Sequence, residues 1–153
     1  HLANSGLLPK QTRLARREDL EYKMSHDDSF LRGNYCDFGL VLRTAGDSYQ
    51  FNDLLAKRLT EQLKQRNIKL RNEKLIPLDA LSLEKDYNSA YGLVINLKEE
   101  AEKSIRDLND FKWDYTRGEG LSCAVVSGHR YWYSEGERLD YSFDYGRVAV
   151  VSD

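Results

Sequence analysis

Cys123 and His129 are the residues of this chain best suited to covalent chemistry. A thiolate nucleophile needs a base to activate it and a third group, such as a nearby carboxylate, to orient that base. The two flank a Ser127-Gly128 turn signal, so a hairpin would bring them toward each other, and a small hydrolase or transferase is the activity they would support. The neighbours of Cys123 argue the other way. Ser122, Ala124, Val125 and Val126 read as the interior of a strand, where a cysteine packs as a small hydrophobe. Cys36 is the second cysteine, and the pair would form a disulfide only in an oxidising compartment.

Stronger catalytic signatures are missing from the sequence. It holds no Gly-rich phosphate loop, no His pair at i,i+4, no CxxC and no nucleophile elbow. Glu73-Lys74, Glu84-Lys85 and Glu102-Lys103 lack the intervening residue of an acid-x-Lys nuclease motif. His26-Asp27-Asp28 are adjacent and cannot all turn to one ion, while His129, Glu135, Glu137 and Asp140 lack a defined loop spacing. The expectation is therefore no metal and no cofactor, and the balance leans away from an enzyme.

Aromatic residues carry the clearest functional signal. Eight of the 17 fall between Trp113 and Tyr145, and Tyr and Trp dominate among them. Apolar rings with a polar handle are the composition of contact surfaces. Tyr131 and Tyr133 share one face of a predicted strand and Trp132 takes the other, so both faces cannot meet the same core. With Tyr141 and Tyr145 they make candidate anchors, and Glu135, Glu137 and Asp140 make an acidic rim suited to a basic protein partner. The competing explanation is that cross-strand aromatic pairs simply stabilise a sheet.

Charge divides the chain in the same way. Residues 1–75 hold 14 Lys/Arg against 10 Asp/Glu, and residues 76–153 hold 9 against 15, so the net charge of -2 describes neither half. The basic excess concentrates in Lys57, Arg58, Lys64, Arg66, Lys69 and Arg71. Binding of nucleic acid there is the less favoured reading, because stacking aromatics are absent from that segment and carboxylates surround the aromatics elsewhere. Self-association of the basic part with the acidic part of another copy is a further expectation.

The elements that must position these residues follow from periodicity. Residues 1–33, with a basic run and little apolar content, read as a partly ordered N-terminal arm with a short helix over 12–24 capped by Thr12. Residues 34–153 read as a single α+β domain. Tyr35–Arg43 alternates as a strand, with Phe38, Leu40 and Leu42 expected on one face. Phe51, Leu54, Leu55, Leu59 and Leu63 trace one face of a helix ending near Asn67. Ile68–Leu78 reads as a second strand or extended segment that Pro77 limits to an edge or an end, and Ala90–Leu97 as a strand buried on both faces or at the sheet centre. Leu97, Ala101, Ile105, Leu108 and Phe111 recur at helical spacing and predict a second amphipathic helix. Beyond Trp113 the period falls to two, giving a meander over 121–127, 131–133 and 139–145 and a last buried strand at 148–151.

That order predicts an α+β two-layer sandwich: a mainly antiparallel sheet with two helices on one face, ferredoxin-like split β-α-β or a relative, plus a C-terminal β-meander. No apolar run is long enough to span a bilayer as a helix. A first residue of His is compatible with an exported or processed chain and leaves the compartment open.

Overall fold

A computed structural model describes residues 11–43, 53–85, 93–117, 120–135 and 146–152. In chain order these form β1 (Thr12–Leu14), α1 (Arg17–His26), β2 (Tyr35–Leu42), α2 (Asp53–Gln65), β3 (Lys74–Pro77), β4 (Leu81–Lys85), β5 (Leu93–Leu97), β6 (Arg106–Asp107), β7 (Tyr115–Thr116), β8 (Leu121–Ser127), β9 (Trp132–Glu135), β10 (Gly146–Arg147) and β11 (Val150–Ser152). The fold is α+β. Its main sheet runs β6-β3-β2-β8-β9-β7, with β10 also beside β2, and two-stranded ribbons β1-β11 and β4-β5 complete it. Among the described residues, only β10 with β2 and β7 with β9 pair in parallel within the main sheet.

The register of β2 organises the core. Asp37 lies opposite Val125, but Gly39 lies opposite Ala124, so Phe38 is the extra residue of a β-bulge. Side-chain direction changes phase there. Cys36, Phe38 and Val41 join one apolar cluster, while Leu40 and Leu42 join another. The expectation that Phe38, Leu40 and Leu42 share a face is therefore corrected, because a strict period of two does not survive an inserted residue.

Each cluster has its own covering helix. Leu40, Leu42, Ile76 and Leu121 meet Ala56, Leu59 and Leu63 of α2, with Leu81 and Leu97 of the β4-β5 ribbon behind them. Phe38, Val41, Leu75 and Val126 meet Leu20 of α1 and the rings of Phe111, Trp113 and Trp132. The α+β class and the mainly antiparallel sheet are as expected, but the helices cover opposite faces and not one. The segment read as an arm supplies the second cover: Leu20 is 1% exposed, and Leu14 and Ala15 are buried with it. Its helix begins at Arg17 and not at Thr12, which pairs with Ser152 in the β1-β11 ribbon. Asp19 accepts the Arg16 backbone N–H at 2.8 Å, and acidic residues in the first turn face the positive helix end.

The helix expected over 97–111 is absent. Glu100 adopts a left-handed φ of 62°, short 3-10 turns occupy Ala101–Lys103 and Leu108–Asp110, and β6 pairs with β3 between them. The apolar residues are buried as their spacing implied, but Ala101 and Ile105 enter the α2 cluster while Leu108 and Phe111 enter the α1 cluster. This segment passes around the sheet edge, and one straight helix cannot serve both faces. Tertiary burial overrides local propensity here.

Two further expectations change. β5 is not central to the sheet but pairs with β4 over α2. The last strand is paired with β1 and is not fully buried, since Val148 and Val150 are exposed. The strand expected at 139–145 lies outside the described residues.

Candidate functional site

The aromatic ribbon is built by the β8-β9 hairpin with β7 added on its outer side. Val126 lies opposite Trp132 and Val125 opposite Tyr133, so alternate residues of β9 face opposite sides of the sheet. Trp132 faces the α1 cluster, edge-on to Phe38 with ring centroids 5.4 Å apart. Tyr133 faces the other way and stacks on Tyr115 of β7 at 5.0 Å, with planes 19° apart. The Arg117 guanidinium stands 4.9 Å from the Tyr115 ring centre and pairs with Glu135 at 3.6 Å. β7 is held to β9 by reciprocal bonds: Trp132 N–H donates to the Asp114 carboxylate at 2.7 Å, and Asp114 N–H donates to Trp132 O at 2.8 Å.

Tyr131 sits where the hairpin turn enters β9 and is 55% exposed. The turn itself is fixed from below. A Cβ on Gly128 would stand 2.6 Å from Leu31 O and 2.8 Å from Asn34 O, so only glycine allows that approach. Arg130 Nη2 donates to the carbonyls of Asp27 and Asp28 at 3.2 and 3.0 Å. Tyr131 is thereby presented from a braced turn.

Behind the ribbon lies an arrangement that the sequence did not reveal. Arg17, 3% exposed, places its guanidinium 4.9, 4.8 and 4.3 Å from the ring centres of Phe111, Trp113 and Trp132. Its Nε donates to Glu21 at 2.8 Å and its Nη2 to the Lys112 carbonyl. Arg17, which belongs to the basic run of the N-terminal segment, is thus the hub of an aromatic cage. Only its i,i+4 spacing to Glu21 was visible beforehand, because its ring partners are distant in the chain. Trp132, one of the expected anchors, is half-buried and packs against the α1 cluster.

The remaining candidates are placed as follows. Glu135 lies on β9, whereas Tyr141, Tyr145, Glu137 and Asp140 lie outside the described residues. Cys123 stands opposite Glu135 and His129 is exposed in the turn beyond Val126. At about 3.3 Å per residue, ~10 Å of strand separates Cys123 from the start of that turn, so the hairpin does not bring thiol and imidazole together. Cys36 lies opposite Val126 while Leu40 lies opposite Cys123, and the two thiols belong to different faces. No disulfide joins them. Burial pushes the Cys36 thiol up to about 11. At pH 8 Cys36 is therefore expected to resist iodoacetamide in the folded protein and to be alkylated in denaturant. Mass spectrometry of native and unfolded samples would check this, and rapid native labelling of Cys36 would contradict it.

Within the basic segment, Lys57, Arg58, Lys64, Lys69 and Arg71 are exposed, and two of the cations brace β5. Arg58 Nε donates to Asn96 Oδ1 at 2.7 Å, and Arg66 donates to the carbonyls of Lys98 and Leu97 at 2.6 and 3.1 Å. Lys64 pairs loosely with Glu61 at 3.8 Å. His26 and Asp27 make local bonds to Tyr22, Ser25 and Ser29. Among the described residues no three His, Cys, Asp or Glu side chains gather as metal ligands, and no helix is long and apolar enough to cross a membrane.

Compared with known proteins, the chain matches no family model, no curated protein and no solved structure.

Proposed function

We propose that this chain is a non-enzymatic binding domain that engages a protein partner through the Tyr131–Glu135 ribbon. The observation that carries the reading is Tyr131, a large ring 55% exposed on a turn held by Gly128 and Arg130. The stacked Tyr115/Tyr133 pair extends the aromatic surface, and Arg117 with Glu135 supplies charges of both signs beside it. A rigid tyrosine loses little side-chain entropy on contact, which is why such residues act as binding anchors. The acidic balance of residues 76–153 favours a basic partner. Trp132 supports the ribbon from its inner side, so the anchors are the tyrosines.

Tyr131→Ala tests this reading because an exposed substitution should change stability by no more than about 0.5 kcal/mol. The expected result is an unchanged circular dichroism spectrum with at least a roughly tenfold loss of affinity for a basic protein captured by the wild-type chain. Identical capture by Tyr131→Ala and by the Tyr131→Ala/Tyr133→Ala double variant would rule out the ribbon as the contact face.

A further inference from the structure

On the α1 side of the sheet, Arg16, Arg17, Glu18, Ser104, Arg106 and Phe111 border a small pocket of about 10 Å³, room for one water or one ligand oxygen. Phe38, Leu75 and Pro77 form its apolar floor. Its arginines differ in how far they are committed. Arg16 is engaged by Asp79 through bonds of 2.6 to 3.1 Å. Arg17 gives Nε to Glu21 and Nη2 to Lys112 O, but its Nη1 is buried with no acceptor. Arg106 is exposed and reaches only the carbonyls of Lys103 and Ile105, with no carboxylate partner among the described residues.

The geometry points to an oxyanion site, one that takes a terminal oxygen of a carboxylate or phosphoryl group between Arg17 and Arg106. The Arg17 Nη1 is thus a buried N–H donor left without an acceptor, and a guanidinium donor of that kind is satisfied by an oxygen acceptor. The ten-residue α1 starts at the pocket and adds the positive end of its dipole. Glu18 is the one carboxylate on the pocket rim, and it opposes an anion. A cation is disfavoured because the buried lining presents N–H donors, and the serine hydroxyl of Ser104 is already given to Ala101 O at 3.1 Å. This site lies apart from the Tyr131 surface and does not depend on it.

Thermal unfolding of the intact chain, titrated with sodium phosphate or sodium acetate against sodium chloride of equal ionic strength, tests the assignment. A saturable rise in midpoint with either anion supports it, and the anion that produces the rise identifies the group as phosphoryl or carboxylate. Arg106→Gln, an exposed substitution that keeps the Arg17 cage, should weaken the titration about tenfold. Glu18→Gln should move it to lower concentration by a few-fold, an effect a purely structural Glu18 would not produce. No saturable rise with either anion, or a rise unaltered in Arg106→Gln, would overturn the site and leave the pocket to a single water.

Discussion

Phe38→Ala is expected to destabilise the protein by about 3–5 kcal/mol, a large share of the roughly 5–15 kcal/mol that keeps a domain folded. Phe38 is 1% exposed, stacks on Trp113 with centroids 6.0 Å apart and meets the Trp132 edge at 5.4 Å. Removing the ring opens a cavity bordered by flat aromatics that collapse poorly, and it loosens the cage around Arg17. Urea unfolding followed by tryptophan fluorescence would report it directly, because both Trp113 and Trp132 touch the deleted ring. A loss below about 1 kcal/mol would mean that the bulge does not direct Phe38 into this cluster.

Gly39→Ala is the second large effect, and it arises one residue further along the bulge. A Cβ built on Gly39 lies 2.7 Å from Ile76 O and 3.1 Å from Leu75 Cδ1. The nearer atom belongs to the backbone of β3, which β2 pairs with through Gly39–Leu42, so a single methyl group must displace a strand. The expected loss is about 2–3 kcal/mol. Gly33→Ala provides the contrast. Its φ is 75° and nothing lies within 4 Å of an added Cβ, so only the left-handed backbone is penalised, by about 1 kcal/mol. Equal losses at both positions in parallel urea titrations would show that steric contact with β3 is not the constraint at Gly39.

These two residues connect the core to the proposed binding surface. The bulge sends Phe38 toward Trp113 and Trp132, and Arg17 closes over the same rings. With Trp132 pinned on the inner side, strand alternation places Tyr133 and its partner Tyr115 on the other. The ribbon is therefore presented by packing beneath it. Softening that packing should weaken partner capture even where every tyrosine is retained.

Much of this arrangement was legible in the amino-acid order. The spacing of Leu55, Leu59 and Leu63 specified α2, although Leu54, expected on the same face, is 81% exposed, and short apolar runs marked β2 and β8 as strands, each of which meets both clusters. Opposite directions for Trp132 and Tyr133 followed from the pleat alone. What tertiary structure decided was which face each residue meets wherever the chain changes sides. Periodicity records how often a residue is buried, not against what. The spacing of Leu97, Ala101, Ile105, Leu108 and Phe111 suited a helix, yet those residues divide between two clusters as the chain rounds the sheet edge. Arg17 illustrates the same limit from the polar side. Its charge and its pairing with Glu21 were readable locally, but its burial depends on Phe111, Trp113 and Trp132, which only the folded chain brings to one place.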